Sequence, residues 1–171
     1  MEEFVILVDR EDNELGLMEK QQAHVAGLLH RAFSVFIFNS KGELMLQQRA
    51  ASKYHSPTLW TNTCCSHPRE NETYKEAAHR RLVEEMGFDC DLNYKFDFIY
   101  KANLDNGLTE HELDHVFIGV YDGEPQLNPD EVMAYRWVEM DDLKKDMEKN
   151  PQNYTAWFKI IFEQYISHIE A

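Results

Sequence analysis

Basic residues are scarce in this chain of 171 residues: 17 lysines and arginines face 31 aspartates and glutamates, a formal charge of −14. A general nucleic-acid binder needs a dense basic surface, so the balance excludes one. A small anionic substrate stays open, provided it meets a local cluster of cations or a metal. Cysteine is scarcer still. Cys64, Cys65 and Cys90 are odd in number and two are adjacent, which excludes a disulfide framework and fits reduced thiols in the cytoplasm. The start, Met1-Glu2-Glu3-Phe4-Val5-Ile6, lacks the basic region and apolar run of a secretory signal. No stretch approaches about 18 apolar residues, so no membrane span is expected. Repeats and low-complexity segments are also missing. What is present is the composition of a packed protein, 43% hydrophobic and 12% aromatic. A single domain over residues 1–171 is expected, burying roughly 70% of its unfolded surface without disulfide staples.

Apolar patterning predicts strands over Phe4–Val8, Ala32–Phe38 and Glu43–Gln48, the last two joined as a hairpin through Asn39-Ser40-Lys41-Gly42. A short extended segment is expected over Pro57–Asn62, and further strands over Leu92–Lys101, His115–Tyr121 and Arg136–Val138. The clearest helix starts near Thr73. Thr73 and Glu76 have capping-box spacing, Ala78, Leu82 and Met86 form an apolar stripe, and Gly87 suits the residue just past the end. The same helix puts Glu76, Arg80 and Glu84 on one ridge and Arg81 and Glu85 on another. Asp141–Lys149 reads as a charged helix. Tyr154–Ile169 reads as an amphipathic one, with Phe158, Ile161, Phe162, Tyr165, Ile166 and Ile169 on its apolar face. Strands with interspersed helices predict a mixed sheet with helices packed on it, an α+β or three-layer fold.

Chemistry concentrates in a few places. His24, His30 and His67 with Glu110 and Glu112 are ligands suited to Zn²⁺, Mn²⁺ or Fe²⁺. In an extended Glu110-His111-Glu112, both carboxylates face one way and His111 the other. The plainer reading is that eight histidines fall near carboxylates by chance. In Thr61-Asn62-Thr63-Cys64-Cys65-Ser66-His67-Pro68, a thiol near a metal ligand would sit at the rim of a site. A nearby cation would lower its pKa toward the reactive thiolate, whereas the commoner fate of a free cysteine is the core. On an extended segment one of Cys64 and Cys65 faces the core and one the cleft; the pattern leaves open which. Lys20, Arg49, Lys53 and Arg81 form a scattered basic set that can offset the acidic background around an anion. Trp60, Tyr100 and Trp157 are core residues by default. A tryptophan-lined pocket would also suit a hydrocarbon tail and stabilise a passing carbocation, by about 2 kcal/mol when desolvated.

The run Ser66-x5-Glu72-x7-Arg80-Arg81-Leu82-Val83-Glu84-Glu85-Met86-Gly87-Phe88 keeps the spacing of the Nudix box, Gly-x5-Glu-x7-Arg-Glu-U-x-Glu-Glu-x-Gly-U with U bulky and apolar. Ser66 stands for its first glycine and Arg81 for the first glutamate of its Arg-Glu pair. An arginine there weakens a multi-metal hydrolytic site and adds a phosphate-binding cation. Ordered segments along nearly the whole chain resemble the type I isopentenyl-diphosphate isomerase family of the Nudix superfamily. They are Glu19-Lys20 with His24, Leu29-His30-Arg31-Ala32-Phe33-Ser34, Gln48-Arg49-Ala50 with Ser52-Lys53, Leu59-Trp60-Thr61-Asn62, and Cys65-Ser66-His67-Pro68. Tyr100-Lys101-Ala102, Glu110-His111-Glu112, Asp130-Glu131-Val132 and Trp157 complete the match.

The resemblance implies a Nudix-like α+β fold, mixed β-sheets sandwiched between helices, that interconverts isopentenyl and dimethylallyl diphosphate. It implies one tightly held divalent metal, Mn²⁺ or Zn²⁺, on His24, His30, His67, Glu110 and Glu112. It also implies a Mg²⁺ that arrives with the substrate diphosphate and is held by Glu85, and no flavin. Lys20, Arg49, Lys53 and Arg81 would contact the diphosphate. Cys65 and Glu112 would exchange protons, with Tyr100 beside Glu112, and Trp157 would lie over the hydrocarbon. The expected partner is a prenyl diphosphate alone, with no nucleic acid or membrane, and the expected state a monomer or weak dimer. The rivals are a Nudix diphosphohydrolase and a metal-stabilised binding module.

Overall fold

A computed structural model describes residues 3–170. Its centre is strand β3 (His30–Phe38), in which only Arg31 and Phe38 are less than fully buried. A strand covered on both faces has a near-continuous apolar sequence. Phe33, Val35 and Ile37 enter one apolar cluster and Phe36 enters another. Strand β4 (Leu44–Arg49) turns back from β3 as a hairpin, but the two pair only at Phe38↔Leu44. They then separate because β3 has other partners. Strand β8 (Thr109–Val120) runs parallel to it from His30↔Glu112 to Phe38↔Val120. Strand β6 (Cys64–Ser66) pairs with it antiparallel, while β5 (Trp60–Thr61) pairs with β4. The segment carrying β5 and β6 thus lies between the arms of the hairpin.

Strand β7 (Asn93–Asn103) flanks β8, β9 (Val132–Val138) flanks β4, and β1 (Phe4–Val8) meets the start of β3 at Leu7↔His30. Two elements escape the sequence pattern: β2 (Glu14–Glu19), paired with β1, and the seven-residue helix α1 (Lys20–Ala26). Strand β8 starts six residues before the expected His115, and β9 four before Arg136. Only Trp60–Thr61 of the expected segment Pro57–Asn62 is strand, because Ser56 and Thr58 occupy the left-handed region of a turn.

Helix α2 (Tyr74–Met86) has the predicted ends. Thr73 Oγ1 accepts from the Glu76 amide at 3.1 Å, and Glu76 Oε1 accepts from the Thr73 amide at 2.9 Å. Gly87 terminates it at φ 74°, where an added Cβ would meet the Gln126 carbonyl oxygen at 2.4 Å. Ala78, Leu82 and Met86 pack with Val35, Ile37 and Met45 on one face of the sheet. Helices α3 (Met140–Lys149) and α4 (Ala156–Glu170) cover the other face, where Leu143, Phe158 and Ile161 meet Phe36, Leu46 and Val116. Tyr154 precedes α4 in an extended conformation, set by the turn at Pro151. The α+β arrangement of a mixed sheet between helices is as the sequence predicted. Among the described residues, no helix is long and apolar enough to cross a membrane.

Candidate active site

Strand β8 is the floor of the site. Its period of two puts Glu110, Glu112 and Asp114 on one face, and all three are buried. Register does the rest. The parallel pairing sets His30 of β3 opposite Glu112, and the antiparallel pairing sets Tyr100 of β7 opposite it on the other side. His30 Nε2 lies 3.1 Å and His67 Nε2 2.9 Å from Glu112 Oε2. The Tyr100 hydroxyl donates to Glu112 Oε1 at 2.5 Å and also to Glu110. His111 faces elsewhere, its Nδ1 3.2 Å from the Gly27 carbonyl.

His24 comes from α1. Its Nδ1 is engaged by the Lys20 carbonyl at 2.9 Å and the Tyr54 hydroxyl at 2.8 Å. Its Nε2, fully buried and without a hydrogen-bond partner among the described residues, lies 3.7 Å from Glu110 Oε2. Ligand atoms of His24, His30, His67 and Glu112 lie within 4.8 Å of one another, as do those of His24, His55 and Glu110. Nitrogen lone pairs and carboxylates gathered out of water are unfavourable unless something positive lies among them. This donor set fits a divalent metal ion.

Titration follows from the crowding. Burial works against a charged Glu112, but the hydrogen bonds of His30 and His67 hold it well below the usual carboxylate range. Burial and the neighbouring Glu112 push Glu110 up, and burial beside the same two acids keeps the proton on Tyr100. Burial, then the Arg49 guanidinium and His24, pushes His55 down to about 2. His67 is pushed down to about 4, chiefly by burial.

Strand β6 answers the question that its two cysteines left open. Cys64 is fully buried on the α2 side of the sheet, whereas Cys65 is half-buried and lines the cavity that Glu112 also lines. The protein's own groups act against the lowering expected at this thiol. Burial raises the Cys65 pKa, the charge of Arg49 only partly opposes this, and Glu85, Glu110 and Glu112 add to it. The protein's own groups therefore favour the thiol form.

The basic set, Lys20, Arg49, Lys53 and Arg81, converges on the same cavity, which has about 60 Å³ of interior space. None of the four is idle. Lys20 Nζ pairs with Glu3 at 2.8 Å and Lys53 Nζ with Glu131 at 2.5 Å. Arg81 Nη2 pairs with Glu85 at 2.5 Å and Glu131 at 3.4 Å. Arg49 donates to the carbonyls of Ser56 and His55, each at 3.2 Å, and lies 5.2 Å from the Trp157 ring centroid. Glu85 is buried, and its Oε1 accepts from the Gln47 amide at 3.0 Å. Trp157 is a buried wall of the cavity, its indole nitrogen without a partner among the described residues. Trp60 lies outside the cavity lining, under Arg136.

Sequence reasoning missed His55, Tyr54, Glu3 and Glu131. The first two sit in an irregular loop with no periodicity, and the glutamates are two among many acids. Only the Asp130-Glu131-Val132 segment carried a signal.

A NUDIX domain family profile matches residues 28–158. The chain is 53% identical over 167 residues to isopentenyl-diphosphate Delta-isomerase 2 of Aromatoleum aromaticum, covering 98% of this chain and 88% of that one. It is 55% identical over 161 residues to a protein of the same name from Photorhabdus laumondii, covering 94% and 91%. Its fold is similar to a crystal structure of a Deinococcus radiodurans protein, with a TM-score of 0.78, 18% identity and 95% and 99% of the two chains covered. A MutT NUDIX hydrolase of Burkholderia pseudomallei superposes with a TM-score of 0.63 at 23% identity, over 80% of this chain and 98% of that one.

Proposed function

The chain belongs to the isopentenyl-diphosphate Delta-isomerase family of NUDIX-domain proteins, and from that premise we propose that it interconverts isopentenyl diphosphate and dimethylallyl diphosphate. The observation that carries this reading is that Cys65 and Glu112 line one cavity together with Lys20, Arg49, Lys53 and Arg81. The reaction needs a proton added to the terminal CH₂ carbon and another removed from the carbon next to CH₂O. A tertiary cation lies between the two steps. That calls for one acid-base group on each side of the carbon chain, a dry wall and electron-rich surfaces.

Glu112, hydrogen-bonded to Tyr100, exchanges the proton at the terminal carbon. Cys65 exchanges the proton at the internal carbon. Each group is acid in one direction and base in the other. The thiol is the acid form required from dimethylallyl to isopentenyl diphosphate; the reverse direction needs Sγ to give up its proton, which the charge of Arg49 favours. Trp157 walls the hydrocarbon. Its ring face attracts positive charge, as the approach of Arg49 illustrates. The four cations take the diphosphate, exchanging their present carboxylate partners for phosphate oxygens.

His24, His30, His67, Glu110 and Glu112 would hold a divalent metal, Mn²⁺ or Zn²⁺, and Glu85 a Mg²⁺ carried in with the diphosphate. Bound there, a divalent ion fixes the Glu112 carboxyl and makes it a stronger acid. Against a hydrolytic reading stands Arg81, which occupies an acid position of the helix motif and ties up Glu85. A prenyl diphosphate is the one partner proposed, in the cytoplasm, with the protein a monomer or weak dimer.

Incubation of the purified protein with isopentenyl diphosphate, Mg²⁺ and Mn²⁺, followed by ³¹P and ¹H NMR, tests the function. Dimethylallyl diphosphate with no free phosphate is expected. Phosphate release with no isomer would establish a hydrolase instead.

A further inference from the structure

His55 has no counterpart in the five-residue ligand set, yet it is placed like a member of it. It is buried, it lines the cavity, and its Nε2 is 3.9 Å from Glu110 Oε2. Its Nδ1 is turned the other way, toward Ser56 Oγ at 3.2 Å. The ring is fixed edge-on to Trp157, with centroids 5.8 Å apart, and to Tyr54 at 4.7 Å. The backbone is anchored as well, its carbonyl accepting from Arg49. The free nitrogen therefore points at the metal-binding acids with little freedom to turn away.

The two groups of metal-binding atoms share His24. With Nδ1 of His24 committed to Lys20 and Tyr54, only Nε2 is left to ligate, and it is buried and unpartnered among the described residues. One imidazole nitrogen has one lone pair, so the two groups describe the surroundings of one ion. Bonds of about 2.1 Å place adjacent donors of an octahedron about 3.0 Å apart and opposite donors about 4.2 Å apart. Four of the donor pairs here are separated by 2.9 Å (His67–Glu112), 3.1 Å (His30–Glu112), 3.7 Å (His24–Glu110) and 3.9 Å (His55–Glu110). Three of these fall inside that range, and His67–Glu112 lies at its lower edge.

We propose that His55 is a sixth protein donor to the ion held by His24, His30, His67, Glu110 and Glu112, closing an octahedron of four imidazoles and two carboxylates. The inference rests on the metal site of the preceding reading and extends it. An ion enclosed by six side chains has no open position for a water nucleophile, unlike a catalytic zinc. The site favours ions that accept six ligands over the tetrahedral preference of Zn²⁺.

The test counts donors directly. Full-length protein with ¹⁵N-labelled histidine is stripped of metal, loaded with ¹¹³Cd²⁺ as a diamagnetic six-coordinate probe, and examined by NMR for imidazole nitrogens coupled to cadmium. Four coupled nitrogens are expected in the wild type and three in His55→Phe, which keeps the ring packing against Trp157 and Tyr54. Mn²⁺ affinity measured by calorimetry is expected to fall about 10- to 100-fold in both His55→Phe and His55→Gln, and to be unchanged in His79→Gln on the surface. Three coupled nitrogens in the wild type would overturn the role of His55 and leave the five-residue site standing. No coupled nitrogen would overturn the site itself. The wild-type count decides even if both variants misfold.

Discussion

Cys64 and Cys65 are neighbours of identical chemistry that the pleat sends to opposite faces of β6, one into the core and one into the cavity. Their substitutions should separate stability from catalysis. Cys65→Ala is expected to lower kcat by at least about 10³-fold, as loss of an acid-base group does, with little change in Tm. Cys64→Ala removes a sulfur from a fully buried site and should cost about 1 kcal/mol, lowering Tm by about 2–4 °C while activity persists. Glu112→Gln should match Cys65→Ala in kcat. Steady-state kinetics beside thermal melts check all three, and near-wild-type turnover in Cys65→Ala or Glu112→Gln would end the proton-exchange account. At this scale the sequence held most of the site. Glu110 and Glu112 were legible because period two puts alternate residues on one face. His55 was not, because its position depends on a loop fixed by distant contacts, such as Ser56 to Asp105.

Among the elements, α2 was the most legible, since caps and stripe are local signals that tertiary packing did not override. Helix α1 was hidden for the opposite reason. It has only seven residues, its cap is Glu19 rather than a preferred capping residue, and only Ala23 and His24 are buried. Strand β2 has no buried residue and hence no alternation to read. The local origin of α2 makes its ends testable. Thr73→Ala should destabilise by about 1 kcal/mol, measured by denaturant unfolding. The box residue Glu72 has a structural role: it accepts from Arg80 at 2.7 and 2.9 Å and from the Arg69 amide at 2.8 Å. Burial alone would raise its pKa, but these bonds hold it below the usual carboxylate range. The stabilisation is therefore fully present above the unfolded-state value of about 4.3 and fades as pH falls through the lower folded value. Glu72→Gln should lose stability at pH 7, with the gap to wild type closing between about pH 4.3 and the folded value. A gap that stays constant down to pH 3 would contradict this.

For the whole molecule, a charge of −14 contrasts with the four cations that line one cavity. It also concentrates acids at the metal site, so binding and folding should be linked. Stripping metal with a chelator should lower Tm, and Mn²⁺ at 100 times its Kd should restore about 2.7 kcal/mol, roughly 5–10 °C for a chain of this length. Equal melting temperatures with and without saturating Mn²⁺ would show that the His/Glu cluster holds no ion. The three-layer arrangement was legible from the order of elements. The separation of β3 from β4 was not, because a hairpin signal carries no information about the long-range pairing of β3 with β8 that competes with it.

The central claim is that two protonatable side chains exchange hydrogen with opposite ends of one allylic system. Running the reaction from isopentenyl diphosphate in D₂O and locating the label by ²H NMR tests it most directly. Deuterium should enter a methyl group of the dimethylallyl product, delivered by a solvent-exchanged acid. Isomer formed with no deuterium would mean that hydrogen moves within the substrate without Cys65 or Glu112 as carriers.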